Sequence, residues 1–156
     1  MNYLQINPCS VTDGPGVRVT IYVSGCNRHC PGCHNPESWN FCAGEPFTQE
    51  TIDKVIALLA PRYITGLTIC GGEPMEPANR EEVLRLIREV REVYDWEKTI
   101  WLYTGYEIDE FADAASLGIL SLINTAVTGP YDQTKRDVSH HNQWRGSTNQ
   151  SIINLR

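Results

Sequence analysis

Residues 17–33 read Val17-Arg-Val-Thr-Ile-Tyr-Val-Ser24-Gly25-Cys26-Asn-Arg-His-Cys30-Pro-Gly-Cys33. The first half alternates. Val17, Val19, Ile21 and Val23 fall on one face, which is the pattern of a strand. The second half opens a loop rich in Cys, Gly and Pro that runs to Pro36. Its cysteines have the spacing C-x3-C-x2-C. Three thiolates from one tight loop can take three corners of a cubane iron–sulfur cluster. Most iron–sulfur sites use four cysteines. Three leave one iron open to a substrate or cofactor, as a catalytic zinc keeps an open position. The same triplet can also serve a structural zinc site, with Cys9, Cys42, His29 or His34 as fourth ligand.

Downstream, the period switches between helix and strand. Thr48 can cap a helix over 49–60, with Ile52, Val55, Ile56 and Leu59 as its apolar stripe. Residues 66–70 read as a second strand ending in Gly71-Gly72. Asn79 can cap a helix over 80–94, with Glu82 in the position of a capping box. That helix carries an apolar stripe of Val83, Leu84, Leu86, Ile87, Val90 and Val93. Its charged residues, Arg80, Glu81, Arg85, Arg88, Glu89, Arg91 and Glu92, read as a solvated face with helix-spaced ion pairs. A third strand spans 99–103, a short helix 107–116 and a fourth strand 122–127. Residues 130–150 are polar without a clear period, and 151–155 suit a last short strand.

Strand–helix–strand alternation predicts an α/β fold with parallel strands in a single domain over 1–156. Ligands of such folds bind at the carboxyl ends of the strands. Each of the four strands ends in a glycine-bearing loop, so these loops gather on one edge. A closed eight-stranded barrel takes about 250 residues. At 156 residues the chain is expected to form an open partial (β/α) barrel or an open sheet.

The net charge of −6 and the absence of a Lys/Arg run argue against nucleic acid as a partner. The N-terminus lacks the basic and apolar regions of a signal peptide. No apolar run approaches the roughly 20 residues of a membrane helix. The expected location is cytoplasmic, where the six cysteines stay reduced and favour metal or redox roles.

A second motif narrows the chemistry. Gly71-Gly72-Glu73-Pro74 follows the second strand. Glycines there allow close approach of backbone to a ligand, and the carboxylate can accept hydrogen bonds from an ammonium group. Alone, the tetrapeptide is an ordinary turn. Paired with the cysteine loop, it resembles the radical S-adenosylmethionine (SAM) superfamily. Asp13-Gly-Pro-Gly-Val-Arg18, Cys30-Pro-Gly-Cys-His-Asn35, Trp101-Leu-Tyr-Thr-Gly-Tyr106 and Trp144-Arg-Gly-Ser-Thr-Asn-Gln150 extend the likeness over nearly the whole chain. Together they are similar to the activating proteins of anaerobic (class III) ribonucleotide reductase.

This resemblance implies a partial barrel of the radical SAM type. Cys26, Cys30 and Cys33 would hold a 4Fe-4S cluster whose open iron is chelated by SAM. Gly72 and Glu73 would line the methionyl amino end. Gly32, Cys33 and His34 would lie against the adenosine, and Thr104 is a further cofactor contact. One electron, from a donor such as flavodoxin, would cleave SAM to methionine and a 5′-deoxyadenosyl radical. That radical would take hydrogen from a glycine of the large reductase subunit. A radical SAM enzyme acting on another protein or peptide would share the same loops, and a non-enzymatic zinc-binding interaction module is the third reading.

The chain departs from the family pattern twice. Val127-Thr128-Gly129 stands where Val-Asp-Gly is usual, and Cys70 where Ser or Thr is common. Cys9 and Cys42 read as small hydrophobes, and His140-His141 as a solvated pair. Arg18 suits either a carboxylate ligand or a strand-face salt bridge. Trp144 and Arg145 suit either a docking rim or an anchor for the terminal segment.

Overall fold

The computed structural model describes residues 1–138 and 144–156. His140-His141 therefore lies outside the described residues. Among the described residues, seven strands form one sheet: β1 Asn2–Ser10, β2 Val17–Val23, β3 Glu45–Pro46, β4 Ile64–Gly71, β5 Thr99–Tyr103, β6 Thr125–Thr128 and β7 Ser151–Asn154. Three α-helices among the described residues accompany it: α1 Gln49–Leu59, α2 Arg80–Tyr94 and α3 Ala114–Leu122. The strand order is β3-β1-β2-β4-β5-β6-β7. The four central strands run parallel, and β1, β3 and β7 are antiparallel additions at the flanks. The α/β class and the parallel centre agree with the sequence pattern. The sheet is open and mixed.

The parallel strands succeed one another across the sheet without reversal. Right-handed crossovers then carry every helix to the same face. Accordingly, α2 packs against both α1 and α3. Val19, Ile21 and Val23 of β2, Leu67 and Ile69 of β4, and Ile100 and Leu102 of β5 point into this helical layer and are inaccessible to solvent. Alternation sends Arg18, Thr20, Tyr22, Thr68, Cys70, Trp101 and Tyr103 to the opposite face. The sheet thus has one oily face and one polar and aromatic face.

Several elements differ from the sequence pattern, the two-residue β3 among them. Strand β1 was not expected: Pro8 interrupts it, its register against β2 shifts twice, and most of its residues are only half-buried. Its two neighbours, rather than its own periodicity, hold it in the sheet. The helix expected over 107–116 is instead a single 3-10 turn, Ile108–Glu110, and α3 starts only at Ala114. Asp113 sets that start, because its carboxylate accepts the Ser116 N–H at 3.0 Å. The fourth strand consequently begins at Thr125 rather than 122. Asn79 precedes α2 without capping it, since its backbone is already helical and its side chain points elsewhere.

Two arginines also leave their expected settings. Arg18 is fully buried and bonds hydroxyl and carbonyl oxygens. Its guanidinium donates to Thr68 Oγ1 at 2.7 Å, Leu67 O at 2.7 Å and Thr99 O at 3.1 Å, lacing β2, β4 and β5 together. Arg91 is buried rather than solvated; it donates to the carbonyls of Leu122, Asp95 and Lys98 and stacks on Trp96. The pairs Arg85–Glu82 and Arg85–Glu89 do form at helix spacing. Among the described residues, no helix is long and apolar enough to cross a membrane.

Candidate iron–sulfur and cofactor site

The loops after β2, β4, β5 and β6 meet at the carboxyl edge of the parallel strands, around a cavity of about 650 Å³. That volume lies within the roughly 300–1,000 Å³ of small-molecule sites. The polar face of the sheet supplies its floor through Tyr22, Cys70 and Tyr103. Cys26, Cys30, Cys33 and His34 line one wall, Gly72, Glu73 and Thr104 another, and Trp144, Arg145 and Gln150 the rim. Of the residues that the two motifs nominate, only Gly32 does not line the cavity.

The cysteine loop is held by backbone bonds on both sides. Gly25 N–H donates to Ser38 O at 2.7 Å, Cys26 N–H to Trp39 O at 3.1 Å and Cys33 N–H to Cys30 O at 3.0 Å. Gly25 and Gly32 take φ values of +97° and +71°, and His29 holds +45° against the ring of Trp39. Cys26 is buried, Cys30 and Cys33 are half-buried, and all three thiols are free. Burial pushes the Cys26 thiol up, so a metal must displace its proton to bind.

The donor set fits a cluster better than one ion. Among the described residues, no three His, Cys, Asp or Glu side chains converge on a single metal position. A cubane does not require that, because each thiolate meets its own iron. Cys9 and Cys42 are exposed and do not line the cavity.

The second motif is locked onto the first. Gly72 N–H donates to Val23 O at 2.7 Å and Glu73 N–H to Gly25 O at 2.9 Å. A Cβ at Gly72 would sit 2.7 Å from Gly25 O and 2.9 Å from Ser38 O. Glycine is therefore demanded there by the packing of the two loops, independently of any ligand. Glu73 is 1% exposed. Its Oε1 accepts from Thr104 Oγ1 at 2.7 Å and Met75 N–H at 2.9 Å, and its Oε2 accepts from Gly105 N–H at 2.7 Å. Burial raises its pKa to about 7, against those hydrogen bonds and the nearby Arg28 charge.

Three supporting residues escaped the motif reading. The Asn79 amide donates to Ser24 O at 2.9 Å, Glu73 O at 3.0 Å and Gly25 O at 3.4 Å, bolting the two loops together. Glu76, 2% exposed, accepts from Asn27 N–H at 2.9 Å and Asn27 Nδ2 at 3.2 Å. Arg28 stacks on Tyr106 with its guanidinium 4.1 Å from the ring centre. Polar residues shortly after Gly-Gly-Glu-Pro were the available signal for the first two. Arg28 had none, because its partners lie far along the chain. At the rim, Arg145 pairs with Asp137 at 3.0 Å and donates to Gln150 O at 3.1 Å, while Trp144 meets Trp101 edge to face. Arg145 is thus an anchor of the terminal segment, whatever else it touches. Thr128 is buried, and its hydroxyl has no partner among the described residues.

The chain places a three-thiol loop at the carboxyl edge of a parallel sheet, and a family model described as a 4Fe-4S single cluster domain matches residues 12–153. The chain is 40% identical to the anaerobic ribonucleoside-triphosphate reductase-activating protein of Escherichia coli (strain K12), over 100% of each chain. It is 40% identical to the protein of that name from Enterobacteria phage T4, over 97% of this chain and 93% of the other. Identity to the Vibrio cholerae protein is 42%, over 97% of both. The chain belongs to this family of 4Fe-4S reductase-activating proteins.

Proposed function

We propose that this chain is a radical SAM activase that installs a glycyl radical on an anaerobic ribonucleotide reductase. One observation carries the reading: three free thiols and a buried carboxylate with a raised pKa open on one cavity at the carboxyl edge of the parallel strands. The names of the full-length relatives support the reductase as the target.

Cys26, Cys30 and Cys33 would hold the cluster, each losing its thiol proton on binding. Bound there and reduced by a donor such as flavodoxin, a 4Fe-4S cluster with SAM supplies a 5′-deoxyadenosyl radical that takes hydrogen from a glycine. Glu73 orients the methionyl ammonium and holds the negative charge that pairs with it. Thr104 and the Gly105 N–H hold that carboxylate in place. His34, beside Tyr131 at 4.7 Å between ring centres, gives the adenosine an aromatic wall with Gly32 and Cys33 behind it. The one-faced helical layer is the arrangement a partial barrel requires, and its open side admits the glycine-bearing segment. The cytoplasm is the expected location.

The test is anaerobic mixing of cluster-loaded protein with a candidate reductase, SAM and a reductant, read by electron paramagnetic resonance. A glycyl-radical signal that needs all components is expected. A loaded protein that binds SAM and gives none with the anaerobic reductase of its own organism overturns the reading.

A further inference from the structure

Glu76 lies in the turn between Gly-Gly-Glu-Pro and α2, and its side chain reaches back to the cysteine loop. The turn is fixed at its backbone: Glu76 N–H donates to Glu73 O at 3.2 Å, and Glu76 O accepts the Arg80 N–H at 3.0 Å. The residue is 2% exposed. Its Oε1 accepts the Asn27 N–H at 2.9 Å, and its Oε2 accepts Asn27 Nδ2 at 3.2 Å. Both oxygens thus act as acceptors, the role of an ionised carboxylate. Among the described residues, no Lys, Arg or His comes within ion-pair distance of it. A buried charge without a counter-charge is costly, and hydrogen bonds hold this one in place.

Asn27 directly follows Cys26, so the carboxylate is bonded to the first amide beyond the first thiol of the loop. The potential of an iron–sulfur cluster depends on nearby charge and on hydrogen bonds to its sulfurs. A fixed negative charge in a poorly solvated setting resists the arrival of an electron. The Asn27 N–H, turned to Glu76, is also withheld from sulfur, and a missing donor disfavours the reduced state as well. Charge and hydrogen bonding therefore act in the same direction. Glu76 does not line the cavity, so it would exert this effect without touching a ligand there.

We infer that Glu76 is a positioning residue that lowers the reduction potential of the cluster on Cys26, Cys30 and Cys33, by setting a buried charge against the loop and holding the Asn27 N–H away from sulfur. The inference rests on the reading of the three thiols as cluster ligands, and is independent of what else binds in the cavity. Reductive cleavage of SAM would draw on the low end of the potentials open to such clusters.

The test is an anaerobic redox titration of cluster-loaded, full-length protein without SAM, read by the electron paramagnetic resonance of the reduced cluster. Wild type, Glu76→Gln and Glu76→Asp are compared per cluster. Glu76→Gln keeps an acceptor for the Asn27 N–H and removes the charge. At the wild-type midpoint its ratio of reduced to oxidised cluster should rise about tenfold, a midpoint about 60 mV less negative for one electron. Glu76→Asp keeps the charge with a shorter reach and should move less. A Glu76→Gln midpoint that is unchanged or more negative overturns the inference. So does a shift in Glu76→Asp as large as that in Glu76→Gln, which would mark a distorted loop rather than a lost charge. A folded Glu76→Gln protein that takes up no iron overturns it too, since Glu76 would then be a structural part of the loop. Wild-type protein that takes up no iron overturns the cluster reading, and the inference with it.

Discussion

The hydroxyl of Thr104 donates to Oε1 of Glu73 at 2.7 Å, across 31 positions of sequence. This bond joins the end of β5 to the loop after β4 and aims a buried carboxylate at the cavity. Thr104 is therefore a positioning residue for Glu73. Thr104→Val should lower the stability of the cluster-free protein by about 1–3 kcal/mol, the cost of a buried acceptor that loses a donor. Thr104→Ser should recover most of it. Denaturant melts of the three proteins measure the difference.

Glu73 predicts a pH signature. Its folded pKa of about 7 lies above the ordinary 4.5, so between those values the folded chain binds more protons than the unfolded one. Stability of the cluster-free protein should then fall as pH rises through that window, and level off above it. Glu73→Gln should flatten this dependence, seen by melts at about pH 5 and about pH 8.

Ligand binding should run the other way. An ammonium pairs with ionised Glu73, so SAM affinity should rise as pH climbs through about 7. Glu73→Gln should lose that rise and bind SAM more than about tenfold more weakly, as expected for a charge-assisted hydrogen bond. Titrations of cluster-loaded protein across that range check both statements.

Iron content should separate the cysteines. Ala at Cys26, Cys30 or Cys33 should abolish the brown cluster absorbance after anaerobic reconstitution. Cys9→Ala and Cys42→Ala should keep it, since both thiols are exposed and away from the cavity. Loss of iron in Cys42→Ala alone would point to a four-ligand site instead.

Asn79 tests the coupling of the two motifs. Asn79→Ala removes the donor shared by three carbonyls and should cost about 1–3 kcal/mol. Asn79→Asp should cost more, because a carboxylate would then face the carbonyl oxygens of Ser24 and Glu73. Both variants should load iron less completely than wild type, measured as iron per chain.

Much of this architecture could be read along the chain. The alternation of 17–23 and the stripes of α1 and α2 marked their own elements, because side-chain period and burial coincide there. The errors fall where context overrides period. Strand β1 contains Pro8 and is held by its neighbours, and Asp113 moved the start of α3 by its own hydrogen bond. Arg18 reads as a partner for a carboxylate and Arg91 as a solvated charge, yet each satisfies carbonyls exposed by the packing of other elements.

The two motifs reveal their chemistry locally, since three cysteines in eight residues must share one loop and Gly-Gly-Glu-Pro must follow its strand. Chain spacing alone enforces both. Packing decided which groups surround them: Asn79 across the two loops, Glu76 on Asn27, Thr104 on Glu73, and Arg28 over Tyr106. Apart from the bond Asn79 makes back to Glu73 O in its own loop, these partners meet only because β2, β4 and β5 are adjacent and parallel, so their carboxyl-end loops share one edge. Neighbouring strands and depth of burial set the pKa of Glu73, and neither quantity is a property of the residues next to it in the chain.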